Sequence, residues 1–421
     1  MNDATLPALS RSDLLDRLAD VAVETGVNIQ EGQDLLIAAD VSMIDLVRRI
    51  TDRAYRRGAG LVTVMYDDEA VQLSRFRYGH DLSFDRDRPW LQDGIAKAME
   101  DGKTARLKVI GADPNLLADQ DHEKVARAEA AFAKASKTVI GKITRFETNW
   151  SIVAYATEAW AKVVFPGAPD AVDRLWNAIF AASRVDASVA DPKEAWKAHN
   201  ADLSARRKML EGKQYSTLHF RGPGTDLKVG LADGHSWGGG AGKTIQGVLC
   251  NPNIPTEEVF TTPHCRRVDG YVRSTKPLAH QGVVIKDIEV RFEEGRIVEA
   301  KAGAGEAAFR KLIDVDEGAR RLGEVALVPH SSPISASGTL FFNTLFDENA
   351  ACHIALGQSY SKCMKNGGTA TGEELGERGA NTSMIHVDWM IGSGEIDIDG
   401  ITRTGDAEPL MRAGEWVTPA R

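Results

Sequence analysis

The chain has 421 residues, 43% of them hydrophobic and 26% charged, an ordinary globular composition with enough length for one to three domains and at least one large core. Its formal net charge of -9 argues against a general nucleic-acid binder, because phosphate binding needs a positive surface. No apolar run is long enough to cross a bilayer, so no membrane partner is expected. The start, Met1 to Pro7, lacks the basic and apolar stretches of a signal peptide. Cys250, Cys265, Cys352 and Cys363 form no Cys-x-x-Cys pair, and free thiols in a reducing cytoplasm are the simple reading.

In chain order, Ser12 to Glu24 carries apolar residues at helical spacing, Asp34 to Ala39 reads as a buried strand, Ile44 to Arg57 as an amphipathic helix and Gly60 to Tyr66 as a second strand. Ala105 to Ile110 and Lys137 to Ile140 are further strand candidates. Strands alternating with helices favour a parallel, doubly wound sheet. Asp170 to Lys213 is rich in helix formers and is expected to bridge two domains. Beyond Tyr215 the texture changes to hairpins. Arg221-Gly222-Pro223-Gly224, Glu293-Glu294-Gly295 and Gly392-Ser393-Gly394 each separate two strand-like runs, the last pair being Ser383 to Ile391 and Glu395 to Ile398. The expected fold is α/β plus α+β: an N-terminal α/β domain, 1–190, with a mostly parallel sheet, and a C-terminal β-rich domain, 191–421.

The chemistry concentrates in the second half. His353 lies in Asp347-Glu348-Asn349-Ala350-Ala351-Cys352-His353, and His386 and Asp388 in Ile385-His386-Val387-Asp388-Trp389. On a strand, His386 and Asp388 point to one face while Val387 points into the core. Glu258 and Glu324 are carboxylates in apolar settings, and burying such a charge is costly without a partner. Two imidazoles and three carboxylates suit one or two Zn²⁺, Co²⁺ or Mn²⁺ ions with positions open to water. Glu257 would diverge from Glu258 and reads as solvated or supporting. Gly323 is where a helical stretch, Asp316 to Leu322, passes into the strand bearing Glu324. Gly238-Gly239-Gly240-Ala241-Gly242-Lys243-Thr244 has Trp237 where a phosphate loop needs glycine, so a turn at the rim of the site is the better reading.

Four segments, Asn253 to Thr261, Asp316 to Glu324, Leu345 to Gly357 and His386-Val387-Asp388, resemble in order and spacing the thermophilic metallo-aminopeptidase family. The resemblance implies a homodimeric two-metal exopeptidase that acts on short peptides through a metal-activated water, with the C-terminal domain catalytic. It implies Glu258, Glu324, His353, His386 and Asp388 as ligands to two divalent ions per chain. Tyr360, seven residues after His353, is implied as a donor to the tetrahedral oxyanion, and Glu324 or Asp388 as the bridging carboxylate, Glu324 being counted with Tyr360 among the catalytic groups. Glu348 or Asn349 is expected to support the His353 ring, since ligand imidazoles donate their second N–H to such groups.

Overall fold

The computed structural model describes residues 9–280 and 282–417; the stretch Met1 to Pro7, read above for a signal peptide, lies outside them. Two compact units emerge. The first comprises residues 1–199 and 241–255, the second 200–240 and 256–421. The return of 241–255 to the first unit is a detail that the expected division at 190/191 does not contain.

In the first unit, helix α1 (Arg11–Val21) starts at a capping box in which Ser10 accepts from the Asp13 N–H and Asp13 accepts in return. Strand β1 (Asp34–Asp40), helix α2 (Ile44–Arg56), strand β2 (Val62–Asp67), helix α3 (Pro89–Ala98), strand β3 (Thr104–Ile110), helix α4 (His122–Thr144) and strand β4 (Trp150–Ala154) follow. The strands are parallel in the order β2-β1-β3-β4. Leu36 of β1 packs with Ile95, Ala96 and Met99 at α3 and Val139 of α4. Leu35 and Ile37, fully buried, point to the opposite face, so both faces are covered, as in a doubly wound sheet.

One expected strand is absent. Lys137–Ile140 belongs to α4, whose start is capped by Asp121. Its β-branched run imitates a buried strand, but Val139 and Ile143 sit one turn apart on the face that meets the sheet. The fourth strand is instead Trp150–Ala154. Two helices, Ala171–Ala182 and Pro192–Lys213, occupy the helix-rich stretch, and the division between the units falls within the second.

The second unit is antiparallel. Strands β5 (Thr217–Gly222), β6 (Thr225–Leu231), β7 (Val259–Thr261), β8 (Pro263–Arg273), β9 (Glu289–Glu293), β10 (Arg296–Lys301), β11 (Leu322–Leu327), β12 (His353–Gly357), β13 (His386–Met390), β14 (Asp397–Ile401), β15 (Ala407–Arg412) and β16 (Glu415–Trp416) build two sheets. The larger runs β10-β9-β8-β6-β5-β14-β15-β16, the smaller β13-β12-β11-β7. The hairpin β5/β6 forms as its turn residues demand. The strand-like run expected before the Glu293-Glu294-Gly295 turn, Gly282 to Phe292, divides: Val283–Ile285 pairs with Leu278–His280, and only Glu289–Glu293 pairs with β10. The third expected hairpin does not form, because β13 and β14 lie in different sheets. Asp316 to Leu322 contains only a single 3-10 turn, Gly318–Arg320, before β11 begins. A shared core joins the sheets, with Leu218, Phe220, Val229 and Val268 from the larger and Val325, Ile354, Leu356 and Trp389 from the smaller.

Candidate metal centre

The smaller sheet has two unlike faces, and register explains why. Val325, Ile354, Leu356, Trp389 and Val259 enter the core, with Val387 packed against it. Their alternates point the other way. Glu324 pairs with Ala355, which pairs with Asp388; Ala326 pairs with His353; Gly357 pairs with His386. Ala326, Ala355 and Gly357 are small, leaving room for the four functional side chains around them. Glu258 stands just before β7, two residues from Phe260, which shares the Ala326 side.

A bulge at Gly323 makes the pattern possible. Leu322 pairs with Leu356 and Glu324 with the adjacent Ala355. One extra residue thus sends Leu322 to the core and Glu324 to the opposite face. The glycine loop supports the Glu258 segment. The Gly238 N–H donates to the Phe260 carbonyl at 2.8 Å and the Phe260 N–H donates back at 3.2 Å. Gly239 has φ +126°, and a methyl group there would lie 2.3 Å from the Glu258 carbonyl oxygen, so only glycine lets the chains approach this closely. Arg207 Nη1 donates to the Gly239 carbonyl at 3.1 Å.

These elements bring the five predicted ligands together. His353 Nε2 lies 3.1 Å from Glu258 Oε2, 3.8 Å from Glu324 Oε1 and 4.0 Å from Asp388 Oδ1. His386 Nε2 lies 3.7 Å from Glu324 Oε2 and 3.6 Å from Asp388 Oδ2. Ligand atoms of Glu258, Glu324 and His353 all fall within 4.8 Å of one another. Glu258 Oε2, Glu324 Oε2, His353 Nε2 and Asp388 Oδ1 are buried yet make no hydrogen bond. Proximity without hydrogen-bond geometry is costly for protein groups alone and suits donors arranged about a cation.

Backbone contacts orient both rings. His353 Nδ1 faces the Ala351 carbonyl at 3.1 Å and His386 Nδ1 the Gln358 carbonyl at 2.7 Å. With Nδ1–H donated there, each Nε2 lone pair faces the carboxylates, the tautomer a metal ligand needs. The support expected from Asn349 or Glu348 is therefore supplied by Ala351. Asn349 instead accepts the Glu257 N–H at 2.6 Å and donates to the Leu345 carbonyl at 2.9 Å. Glu257 is buried, which removes the solvated reading of that residue.

Electrostatics follow from crowding. Burial lifts the Glu324 carboxyl to about 7; His353 pulls it down, while Glu258 and Asp388 push it further up. Glu348, half-buried beside the cluster, is raised well above the usual carboxylate range by desolvation and then by Glu258 and Asp388. Burial opposes a positive charge on His353, but Glu258 and Glu324 outweigh it and hold its pKa well above the usual value. Tyr360, its ring 4.7 Å from that of His386, is raised above the ordinary phenol range by burial and by the surrounding carboxylates. The place of Glu348 is a feature the sequence signals only through its five-residue distance from His353.

The thermophilic metalloprotease (M29) family model matches residues 11–416. Aminopeptidase T of Thermus aquaticus is 50% identical over 405 residues, 96% of this chain and 98% of that protein. Aminopeptidase 2 of Geobacillus stearothermophilus is 44% identical over 404 residues, 96% of this chain and 97% of that protein. The solved structure of wild-type AmpT from Thermus thermophilus superposes with a TM-score of 0.92 at 47% identity, covering 97% of this chain and 100% of that one. A buried set of cation-suited donors and agreement over nearly the whole length place the chain in the thermophilic metalloprotease (M29) family, a hydrolase whose relatives named here are aminopeptidases.

Proposed function

We propose that this chain is a metal-dependent aminopeptidase that removes the N-terminal residue from short peptides, using two divalent ions (Zn²⁺, Co²⁺ or Mn²⁺) per chain. One observation carries the reading: four buried donor atoms, on Glu258, Glu324, His353 and Asp388, converge without hydrogen bonds. With His386 they fit a two-ion ligand set. Glu324 and Asp388 each turn one oxygen toward each imidazole, the disposition of a bridging carboxylate. Bound there, the ions would supply Lewis acidity toward the scissile carbonyl and a lower pKa for the attacking water.

The side chains supply the rest. Tyr360 keeps its phenol proton at working pH, because burial and carboxylates oppose its loss, and its hydroxyl donates to the oxyanion of the tetrahedral intermediate. Glu324, placed between the imidazoles, holds the centre of the site. Glu348 has no ion pair among the described residues and sits beside the cluster with a raised pKa; it takes the proton of the attacking water and returns it to the leaving amine. The acid-rich site suits a free α-amine. We assign catalysis to the domain 191–421, place the enzyme in the cytoplasm in keeping with its free buried thiols, and take the homodimer from the family resemblance.

The test compares a free-amine dipeptide amide with its N-acetylated form and a phosphate ester, before and after chelation. Cleavage of the free-amine substrate alone, lost on chelation and regained with metal, is expected. Equal rates on the acetylated peptide, or full activity in metal-stripped protein, would reject the reading in favour of another hydrolase.

A further inference from the structure

The cluster opens on one side. The side chains of His353, Glu324, Glu258 and Asp388 are 1%, 5%, 8% and 8% exposed, whereas that of His386 is 21% exposed. A substrate therefore arrives past His386. The Tyr360 ring stands against His386 and meets Phe260 edge-on, with ring centroids 6.2 Å apart. Over these two rings lies the ammonium of Lys362, with Nζ 5.2 Å from the Phe260 centroid and 5.4 Å from that of Tyr360. Lys362 itself is exposed. The cation is thus one aromatic ring away from the accessible edge of the site.

The turn carrying it is tied down. The Tyr360 carbonyl accepts from Thr262 Oγ1 at 3.2 Å and from the Cys363 N–H at 3.0 Å, and the Ser236 N–H donates to the Cys363 carbonyl at 2.8 Å. Cation–π contact with two rings further restricts where the ammonium can sit.

We infer that Lys362 binds the C-terminal carboxylate of di- and tripeptide substrates, and so gives the site its preference for short peptides. The inference rests on the exopeptidase reading. An extended chain advances about 3.5 Å per residue, so the carboxylate of a dipeptide lies one residue beyond the scissile carbonyl and that of a tripeptide two. Those spans are about 3.5 Å and about 7 Å, and the longer is of the order of one aromatic ring plus a hydrogen bond. Such a carboxylate must also approach Glu258, Glu324, Glu348 and Asp388, which repel it. A fixed cation at the rim offsets that repulsion, whereas a long peptide carries its terminal charge away and needs no such help. A lysine suits the task because its point charge accepts carboxylates from peptides of different length, without the fixed fork of an arginine.

The experiment uses metal-loaded enzyme with metal content measured. It compares kcat and KM for Leu-Gly and Leu-Gly amide in wild type, Lys362→Met and Lys362→Arg. Methionine keeps apolar cover on Phe260 while removing charge. Loss of a charged contact predicts a rise of about tenfold in KM for Leu-Gly, little change in kcat, and a matching fall in the acid-to-amide ratio of kcat/KM. Arginine should restore most of that ratio, with metal content the same in all three proteins. An unchanged ratio in Lys362→Met, or equal losses on both substrates with a lowered melting temperature, would overturn the inference while wild-type cleavage of the amide still upheld the exopeptidase reading. Wild-type enzyme that cleaves neither substrate would remove both.

Discussion

His353 shows how a single residue sets the character of the centre. Its ring is oriented from behind by the Ala351 carbonyl, so Nε2 meets three carboxylates. Without metal, that crowding stores protons. Glu324 moves from an ordinary 4.5 to about 7, and Glu348, His353 and His386 also move upward. All four shifts have one sign: the folded protein holds more protons than the unfolded chain. Their contribution to stability is therefore full at low pH and falls as pH rises through the folded values. Metal-stripped protein should lose stability between about pH 4.5 and 7, with the loss continuing above pH 6.5 as the histidines titrate. Denaturant titrations of chelated protein at pH 5.5 and 7.5 check the sign; greater stability at the higher pH would contradict it. Metal binding must displace the same protons, so affinity should strengthen over this range. At this scale the strand pattern was legible: His386-Val387-Asp388 read as two side chains on one face and one in the core, and the structure places Val387 against the core. Glu348 was less legible, because a carboxylate on a 3-10 turn (Glu348–Ala350) has no periodicity to say which way it points.

Among the elements, the donors depend on loops that touch no metal. The Gly238–Gly239 segment bonds to β7 and packs against the Glu258 backbone. Gly239→Ala introduces a side chain at φ +126° and a contact of 2.3 Å with the Glu258 carbonyl, a change expected to cost about 1–3 kcal/mol. Because the strain falls beside the proposed ligand Glu258, metal affinity should drop with stability, by about tenfold or more. Equilibrium dialysis beside a melting curve decides the matter: lost stability with wild-type metal affinity would limit the loop to a scaffolding role. The sequence indicated a turn near the site here, but not the contact, because close backbone approach is a tertiary property. The same limit explains the misread strand. Lys137–Ile140 looks extended over four residues and is helical only when seen within all of α4. Likewise Gly392-Ser393-Gly394 marks a turn, but cannot say that the chain leaves one sheet for another.

Over the whole molecule, ligation and stability are linked. In the proposed reading, a buried ligand set that is satisfied only when loaded makes the folded state the metal-binding state. Saturation at 100 times Kd adds about 2.7 kcal/mol for one site that the unfolded chain does not share. Chelation should therefore lower the melting temperature of the second unit, and Zn²⁺, Co²⁺ or Mn²⁺ should restore it in a concentration-dependent way. Calorimetry with and without chelator measures this, and identical melting curves would contradict it. The alternating helices and strands of the first unit and the hairpins of the second were visible as patterns, so the fold class was legible. The return of residues 241–255 to the first unit was not, since nothing in local composition distinguishes a segment that crosses between units.

The bulge at Gly323 carries a consequence for how this gene can change. Upstream of it, β11 is in phase with the oil; downstream, with the acid. Loss of that one codon would join Leu322 directly to Glu324, and the regular ladder that results keeps Leu322 opposite Leu356 and Glu324 opposite Ala355. A frame-preserving deletion at this glycine therefore leaves the centre facing as it does, whereas a substitution there drives a side-chain carbon to within 2.4 Å of the Gly357 and Gln358 carbonyl oxygens.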